Sequence, residues 1–518
     1  MEINDLIKEL ELPAALLEKP LPTFVVPREK FAAIADRAVN GLKLSLALMF
    51  AEEEKSKESF TVNAVLRTGG VHPYIAISCV VPANDPHYPS LTATIMAAHW
   101  YERLIGDMFG LIADGHPDWR RLVHHENILA GTHPLKKDFA WNTKLDYATE
   151  PYPMHKLEGN GVYEIPVGPI HAGIIEPGHF RFSVVGERVV TLEGKLFFKH
   201  KGVEKILEGK TAVEALPFVE RVSGDMAIGH VLPFCQAVEA IAGTNVPERA
   251  KYLRVVAAEY ERIIMHLHDI SNIGGNGTAL SFMFAQGSRL VERVRRLADE
   301  IYGSRFMRGV IVPGGVVHDL DAEAQKKMLK ELDYIRKEID GLEKVARNSD
   351  SFMERLETTG VLKQDAAIAY GALGLPARAS GLSWDVRTGA PYAAYEKLSP
   401  IVKVETSGDV YARFIMRFRE IREAIRLINE ALKNIPQGAI TVPFAPKEGS
   451  TLGYAESWRG EVLDWVKLGS DGKITRCVIR DPSFCNWALF GEITPGNIVP
   501  DFPICNKSLN LSYSGTDL

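Results

Sequence analysis

Four long stretches of the chain repeat apolar residues every three or four positions, the spacing of one face of an α-helix. They begin near residues 247, 281, 322 and 410. The apolar positions of the first and last stretches are Leu253, Val256, Tyr260, Ile263 and Leu267, and Val410, Phe414, Phe418, Ile421, Ile425, Ile428 and Leu432. Long amphipathic helices bury their apolar faces against one another, so the sequence predicts a helical bundle. Charged residues on the opposite faces are expected to be solvated, or to contact other subunits of a large assembly.

The first part of the chain has a different character. Runs rich in Val and Ile at 59–68 and 72–81 flank Gly69 and Gly70, which predicts a β-hairpin. Ser90 is in place to cap a helix over 91–110, which Gly110 would end. Residues 139–161 lose periodicity and predict a linker, with a domain boundary near residue 150. Four short apolar stretches between 161 and 201 then predict a small antiparallel sheet.

Composition excludes several classes of protein. With 60 Lys+Arg against 66 Asp+Glu the net charge is −6, so neither nucleic acid nor an anionic lipid surface is an expected partner. The first twenty residues lack the order of a secretory signal, so we expect a cytoplasmic protein. No stretch reaches the eighteen apolar residues of a membrane span. Five cysteines without a CxxC pair argue against a disulfide framework and a cysteine-ligated cluster.

One segment concentrates groups suited to proton transfer. His171, Glu176 and His179 lie within nine residues, among Gly and Pro turns, in GPIHAGIIEPGHFRF. A tight loop could gather these side chains for proton transfer near neutral pH. The alternative is an exposed turn with no catalytic role.

A second segment, RVSGDMAIGH, places Arg221, Asp225 and His230 just before a long helix. Charged groups buried there need partners from elsewhere in the fold, and a structural salt bridge is the alternative to a functional role.

Other histidines give weaker signals. His266 and His268 point to nearly opposite sides of a helix, so they cannot share a metal ion. His124 and His125 are adjacent among charged neighbours and are expected to be a solvated surface pair. The glycine cluster at 274–277 lacks the features of a phosphate loop and predicts a break between helices.

Longer motifs resemble a known family. YERLIGDMFGLIADGHPDWRRL and GTHPLKKDF resemble the 30-kilodalton-type subunit of respiratory complex I. EPGHFRF, VPERAKYLRVVAAEYERI, RASGLSWDVRTGAPYAAY, ESWRGE and RDPSFCNW resemble its 49-kilodalton-type subunit. Both modules in one chain resemble the large subunit of formate-hydrogenlyase-type, membrane-bound group 4 [NiFe] hydrogenases.

The resemblance implies an α+β fold in two domains. Residues 1–145 would form the 30-kilodalton-like α/β domain, and residues 146–518 the 49-kilodalton-like or hydrogenase-like domain. Within the second domain we expect a β-rich region with a cavity loop at 161–240, the helical bundle at 241–435, and a C-terminal cavity segment at 436–518.

The hydrogenases of this family hold nickel and iron with four thiolates from two CxxC pairs, and the equivalent motifs here read RVSGDM and DPSFCN. The ligand positions are occupied by Ser223, Met226, Ser483 and Asn486, and Cys485 lies one residue out of register. We therefore expect no nickel-iron centre, no bound metal and no hydrogen activation. A tail retained to Leu518 fits this expectation, because the family removes a C-terminal peptide after metal insertion.

The resemblance also suggests cavity residues. The quinone-contacting tyrosine of complex I would fall at Gly224, its partner histidine has no clear counterpart, and His171 matches only the first histidine of the GPxH motif. Glu176 with His179 matches the glutamate that passes protons in hydrogenases, and Arg459 the arginine above the metal. With Asp225 these three are expected to be the active polar residues of a redesigned cavity. His171, Arg221 and His230 would line it.

The implied function is that of an electron-transfer subunit in a membrane-associated complex. It would dock on a small iron-sulfur subunit that bears a 4Fe-4S cluster and on antiporter-like membrane subunits, at the inner face of the cell membrane. A quinone at the interface, or another acceptor, would couple redox chemistry to ion translocation, with no cofactor held by this chain alone. The alternatives are a redox-silent scaffold and an active hydrogenase with unusual ligands.

Overall fold

The computed structural model describes residues 3–13, 21–171 and 175–518, and it confirms the mixed α+β class. The first part contains α1 (Ile3–Glu9), β1 (Thr23–Val25), α2 (Phe31–Asp36), β2 (Ser45–Glu54), β3 (Ser59–Arg67), β4 (Tyr74–Pro82), β5 (His87–Pro89), α3 (His99–Phe109) and β6 (Ile112–Asp114). The main sheet has the order β1-β4-β3-β2. Strands β3 and β4 form the predicted hairpin, with Arg67 opposite Tyr74.

The helix predicted over 91–110 is shorter than expected. It begins at His99 after a 3₁₀ turn at Met96–Ala98, and it ends at Gly110 in the left-handed conformation, as predicted. Ser90 does not cap it, because the Ser90 hydroxyl donates instead to the buried carboxylate of Glu102, with 2.6 Å between the oxygens. Ser90 therefore lies in a loop before the helix, where its hydroxyl donates a hydrogen bond to a buried carboxylate.

Residues 115–161 contain no helix or strand, as expected of a linker, while the domain boundary near residue 150 stays a prediction. Strands β7 (Val162–Val167), β8 (His179–Val185) and β9 (Arg188–Lys195) then form the predicted antiparallel sheet. The fourth apolar stretch, KLFFKH, is not a strand: beyond Lys195 its backbone leaves the sheet and bonds to residues near the end of the chain.

The remaining residues form the helical bundle, a two-stranded sheet and a three-stranded sheet. Their helices are α4 (Val203–Leu207), α5 (Ala212–Val219), α6 (Ala227–Ala242), α7 (Glu248–Asn272), α8 (Ser281–Tyr302), α9 (Ala322–Arg347), α10 (Asp350–Leu356), α11 (Gln364–Ala369), α12 (Gly374–Ala379), α13 (Val386–Gly389), α14 (Tyr395–Leu398), α15 (Val410–Asn434), α16 (Pro482–Asn486), α17 (Phe490–Ile493), α18 (Phe502–Leu509) and α19 (Tyr513–Asp517). Their strands are β10 (Ile311–Val312), β11 (Gly315–Val316), β12 (Gly449–Glu456), β13 (Glu461–Leu468) and β14 (Ile474–Arg480).

The four predicted long helices are α7, α8, α9 and α15. Helix α7 is the centre of the bundle and packs against α15 and α8, while β12 and β13 cover α6. The predicted apolar face of α7 is buried, and so are polar residues on its other faces, including Glu259, Arg262 and His266. This helix is therefore a core helix whose charges need partners inside the fold.

A buried ion cluster joins the β1–β4 sheet to the β12–β14 sheet. Glu461, at the start of β13, accepts from Arg67 Nη2 at 2.7 Å and from Tyr74 Oη at 3.0 Å, both in the β1–β4 sheet. Arg480 Nη2 on β14 and Trp384 Nε1 donate to the same carboxylate at 2.5 and 2.8 Å. Although burial alone would raise the pKa of Glu461, the two guanidiniums lower it to about 2.

This cluster predicts a large effect of a small substitution. Glu461→Gln removes the charge but keeps the shape, and leaves two buried guanidiniums without their counter-ion, so the free energy of unfolding should fall by about 3–5 kcal/mol. Denaturant unfolding of the full chain measures this. Asp333→Asn, which breaks surface pairs of α9, is the control and should change little. Equal stability of the two variants would contradict the interpretation that Glu461 is the counter-ion that the two buried guanidiniums need.

Candidate functional site

The resemblance places metal ligands at four positions of this chain. Two of them, Ser223 and Ser483, meet through a residue near the end of the chain. Ser223 precedes α6, and Ser483 lies in the first turn of α16. The Ser223 hydroxyl is 2.8 Å from the Ser512 hydroxyl, and the Ser512 backbone N–H donates to Ser483 Oγ at 3.0 Å. Ser512 therefore bridges the two segments that carry the family's ligand motifs.

The other two positions are used for packing. Asn486 bonds to the backbone of Leu373, accepting from its N–H at 2.9 Å and donating to its carbonyl at 3.1 Å. Met226 is fully buried at the N-cap of α6. Cys485 lies 3.4 Å from the Tyr101 hydroxyl. Asn486 and Cys485 thus direct their polar groups to other residues of the chain, and Met226 packs in the core.

Asp225 and Arg459 form an ion pair beside Ser223. Two N–H groups of the guanidinium donate to the two carboxylate oxygens at 2.8 and 2.7 Å, and Arg459 Nε donates to the Asn510 carbonyl at 2.7 Å. The guanidinium also stacks 3.9 Å from the Trp458 ring. Burial opposes ionisation of Asp225, but Arg459 outweighs it and lowers the pKa to about 2. Asp225 is therefore ionised at neutral pH.

His230 and Asp481 form a second pair. His230 Nε2 lies 3.0 Å from Asp481 Oδ2, and both side chains are buried. Asp481 also caps α16, accepting from the Ser483 N–H at 2.7 Å. Burial raises the pKa of Asp481, yet the His230 bond and the nearby Arg459 charge bring it below its usual value.

Glu176 and His179 have separate partners. The Glu176 carboxylate accepts from the Ser514 backbone N–H at 2.9 Å. His179 Nδ1 lies 3.2 Å from the Gly168 carbonyl, and burial lowers the pKa of this imidazole. His171 packs near the Tyr513 ring, with 6.3 Å between ring centroids. Residues 172–174 of this predicted loop lie outside the described residues.

The structure does not place Arg221 with these residues. Its side chain is exposed and donates to the Pro217 carbonyl at 2.7 Å, one turn earlier along the chain. Arg221 turns back onto the end of α5, and its cavity role stays a prediction.

The segment 511–518, which contains α19, completes the site. The Ser514 hydroxyl donates to the Val222 carbonyl at 2.9 Å, and a Cβ at position 515 would collide with the Asp481 carboxylate. Asp517 accepts from the N–H groups of Phe197 and Lys199 at 2.9 and 2.8 Å. Burial raises the pKa of Asp517 to about 7, although these two bonds favour its ionised form.

The donor set does not fit a nickel-iron group. Two hydroxyls, a thioether and an amide stand at the positions where the resemblance places four thiolates, and soft metals select thiolate sulfur. Among the described residues, no group of three or more His, Cys, Asp or Glu side chains is arranged to hold a metal ion.

Comparison with known proteins matches both halves of this architecture. The family model for the 30 Kd subunit of respiratory-chain NADH dehydrogenase matches residues 24–144, and that for the 49 Kd subunit matches residues 275–445. Formate hydrogenlyase subunit 5 of Escherichia coli is 32% identical over 492 residues, covering 91% of this chain and 84% of that relative. Hydrogenase-4 component G of the same organism is 31% identical, covering 91% and 83%.

A third relative is the C/D subunit of NADH-quinone oxidoreductase from Nitrosospira multiformis, 29% identical and covering 90% of this chain and 84% of that relative. The chain belongs to the family that fuses the 30 Kd and 49 Kd subunits of respiratory-chain NADH dehydrogenase. The predicted resemblance is confirmed. These relatives are subunits and components of oxidoreductases, so this chain is an oxidoreductase subunit. Within the described residues, no helix has the length and apolar character needed to cross a membrane.

Sequence reasoning missed several residues that hold the site together. Asp481 stands directly before the Pro482-Ser483 pair, so its capping role could have been read from the motif. Ser512, Ser514 and Asp517 gave no comparable signal, because partners such as Ser223, Glu176 and Phe197 lie about 290 to 340 residues away.

The raised pKa of Asp517 predicts a pH-dependent anchor. A carboxyl whose pKa is raised by folding stabilises the packed state below its usual pKa, and this contribution is lost as pH rises through about 7. Amide exchange of residues 511–518 in the full chain, corrected for intrinsic rates, should therefore accelerate as pH rises from about 4 to about 7 and change little above about pH 8.

The variant Asp517→Asn cannot ionise, so its corrected exchange should stay level across this range. The same pH response in both proteins would show that another group controls the segment.

Proposed function

We propose that this chain is an electron-transfer subunit of a membrane-associated oxidoreductase related to complex I and to group 4 hydrogenases, and that it works without a nickel-iron centre. The complex would couple electron delivery to a quinone, or to another acceptor, with ion translocation. The observation that carries the proposal is the pairing of Ser223 and Ser483 through Ser512, at positions where the family's hydrogenases carry thiolates.

The ionisable residues of the site support an active role. The site contains two buried or half-buried polar pairs, the Asp225–Arg459 ion pair and the hydrogen-bonded His230–Asp481 pair, beside positions that lack thiolates. Such pairs respond to a change of charge nearby by shifting protons or partners. Glu176 and His179, at the edge of the site, would exchange those protons.

The proposed partners follow from the family. A small subunit with a 4Fe-4S cluster would deliver electrons, and antiporter-like membrane subunits would move ions, which places this chain on the inner face of the cell membrane. A quinone would bind at the interface with such a partner, near His171, rather than inside this chain alone.

Metal content gives the first test. The complex, purified anaerobically through a tag on this chain, should contain iron and acid-labile sulfide from its partner but no nickel by elemental analysis. Nickel at about one per complex, or hydrogen uptake by the complex, would overturn the proposal and restore a hydrogenase with unusual ligands.

A substitution at Glu176 tests the proton role. Glu176→Gln keeps an acceptor for the Ser514 N–H but cannot release a proton, so turnover of the assembled complex should fall by about 10-fold or more while assembly is unchanged. Glu187→Gln, on the exposed turn between β8 and β9, is the matched control and should retain full turnover.

The second candidate function is a redox-silent scaffold. The observation that favours it is that residues 512–517 pack against both ligand segments and engage their polar groups. Unchanged turnover in the Glu176→Gln complex would support this candidate over the first.

A further inference from the structure

A cluster of buried charges lies inside the bundle, among α7, α12, α13, α15 and β12. Every side chain in it is 7% exposed or less. Its four carboxylates are Glu259, Asp385, Glu420 and Glu456, and its three guanidiniums are Arg262, Arg378 and Arg387.

The three guanidiniums are shared unequally among the four carboxylates. Arg378 contacts three of them, with nitrogen–oxygen distances of 2.7 Å to Glu420, 2.7 Å to Glu456 and 3.4 Å to Asp385. Arg387 contacts Asp385 and Glu259 at 2.7 and 3.0 Å. In direct contact, the cluster thus has one more acid than base.

His266 does not supply the missing positive charge. Arg417 Nη1 lies 3.3 Å from His266 Nδ1, and a guanidinium can only donate, so Nδ1 is the acceptor. The imidazole is then neutral and donates from Nε2 to Glu420 at 2.8 Å. Burial also favours the neutral imidazole, because it lowers the pKa of His266.

Glu456 has the weakest support of the four carboxylates. It receives Arg378 and the Val386 N–H, at 2.7 and 3.2 Å. Glu420 also receives Arg262 and His266, and Glu259 receives two guanidiniums and the Tyr395 hydroxyl.

Four other charged residues lie near Glu456 and affect its ionisation. Asp385 on the α13 side repels it, while Arg262 and Arg387 attract it more weakly than Arg378. Its cross-strand neighbour Glu461 is already paired with Arg67 and Arg480. Burial, followed by Asp385, raises the pKa of Glu456 to about 7.

A continuous set of contacts joins this cluster to the candidate site. From Glu420 it runs through His266 to Arg417, which pairs with Asp269 at 2.6 Å. Asn510 Nδ2 donates to Asp269 at 2.5 Å, and the Asn510 carbonyl accepts from Arg459. Guanidiniums keep their protons, so this path conveys electrostatic influence and not a proton.

We propose that Glu456 is a buried proton-binding site whose protonation is coupled to the charge at Asp225 and Arg459. The carboxyl releases its proton to solvent, or takes one from it, as the charge of the site changes. This deepens the proposed function, because it names a residue that would compensate an electron arriving near the site, but its tests need no turnover.

Infrared spectroscopy of the full chain tests the proton directly. The carbonyl stretch of a protonated carboxylic acid should be present in the wild type near neutral pH, decline as pH rises, and be missing from Glu456→Gln. Subtracting the two spectra removes contributions from other buried acids with raised pKa, such as Glu261 and Asp464. Glu239→Gln, a buried glutamate with its own Arg254, is the control and should keep the band.

Stability gives a second test with a definite sign. If Glu456 binds a proton in the folded state, wild-type stability falls as pH rises from its usual pKa towards about 7, and Glu456→Gln lacks this loss. The folding equilibrium of the variant relative to wild type should therefore rise by about 10-fold or more over that range. A relative fall, or an infrared difference spectrum without the acid band, would overturn the proposal.

Coupling to the site is tested with Asp225→Asn. Removing this negative charge leaves Arg459 unbalanced, so the infrared titration midpoint of Glu456 should move to lower pH. An unchanged midpoint would show that Glu456 is independent of the site. Neither result depends on nickel content or on turnover, so failure here is distinguishable from failure of the proposed function.

Discussion

Charges that are removed from water must meet partners, and this requirement determines how the parts of the chain come together. Glu461 lies between Arg67 of the β1–β4 sheet and Arg480 of the β12–β14 sheet, so the two sheets can pack closely only in the arrangement that pairs all three residues. Helix α7 is positioned in the same way, because Arg262 and Glu259 are buried and bond to α13, α15 and β12. The apolar core fills the space, but the ion pairs select the geometry.

Periodicity predicted the elements and not their charged contacts. The long helices and the hairpin follow from local spacing, and the structure confirms them. Arg67 and Glu461 are 394 residues apart, so no local pattern could pair them. His124 and His125 were expected at the surface, yet both are buried, and His125 Nε2 lies 2.7 Å from the Leu196 carbonyl. Charged neighbours along the sequence did not mean that these histidines are exposed, because residues near Leu196 cover them.

The candidate site was predictable only where sequence motifs mark its residues. The resemblance located Ser223, Ser483, Asp225 and Arg459 from motifs, and the structure brings these four residues together around Ser512. Arg221, in the same motif, faces outward, since position in a motif does not fix the direction of a side chain in a turn. The part played by segment 511–518 could not be derived, because partners such as Ser223, Glu176 and the N–H group of Phe197 lie about 290 to 340 residues away, and no local pattern pairs them.

The side chains at the positions that the resemblance assigns to metal ligands determine the charge beside Arg459. Thiolates there would bring negative charge, whereas the two hydroxyls, thioether and amide of Ser223, Ser483, Met226 and Asn486 bring none. A buried guanidinium left in that position requires another anion, and Asp225 supplies it through two hydrogen bonds, with Asp481 close behind. Asp481 in turn engages His230. The interior therefore keeps an ionised Asp225–Arg459 pair and a hydrogen-bonded His230–Asp481 pair, and a charge arriving beside them would act on both, as the proposed redox role requires.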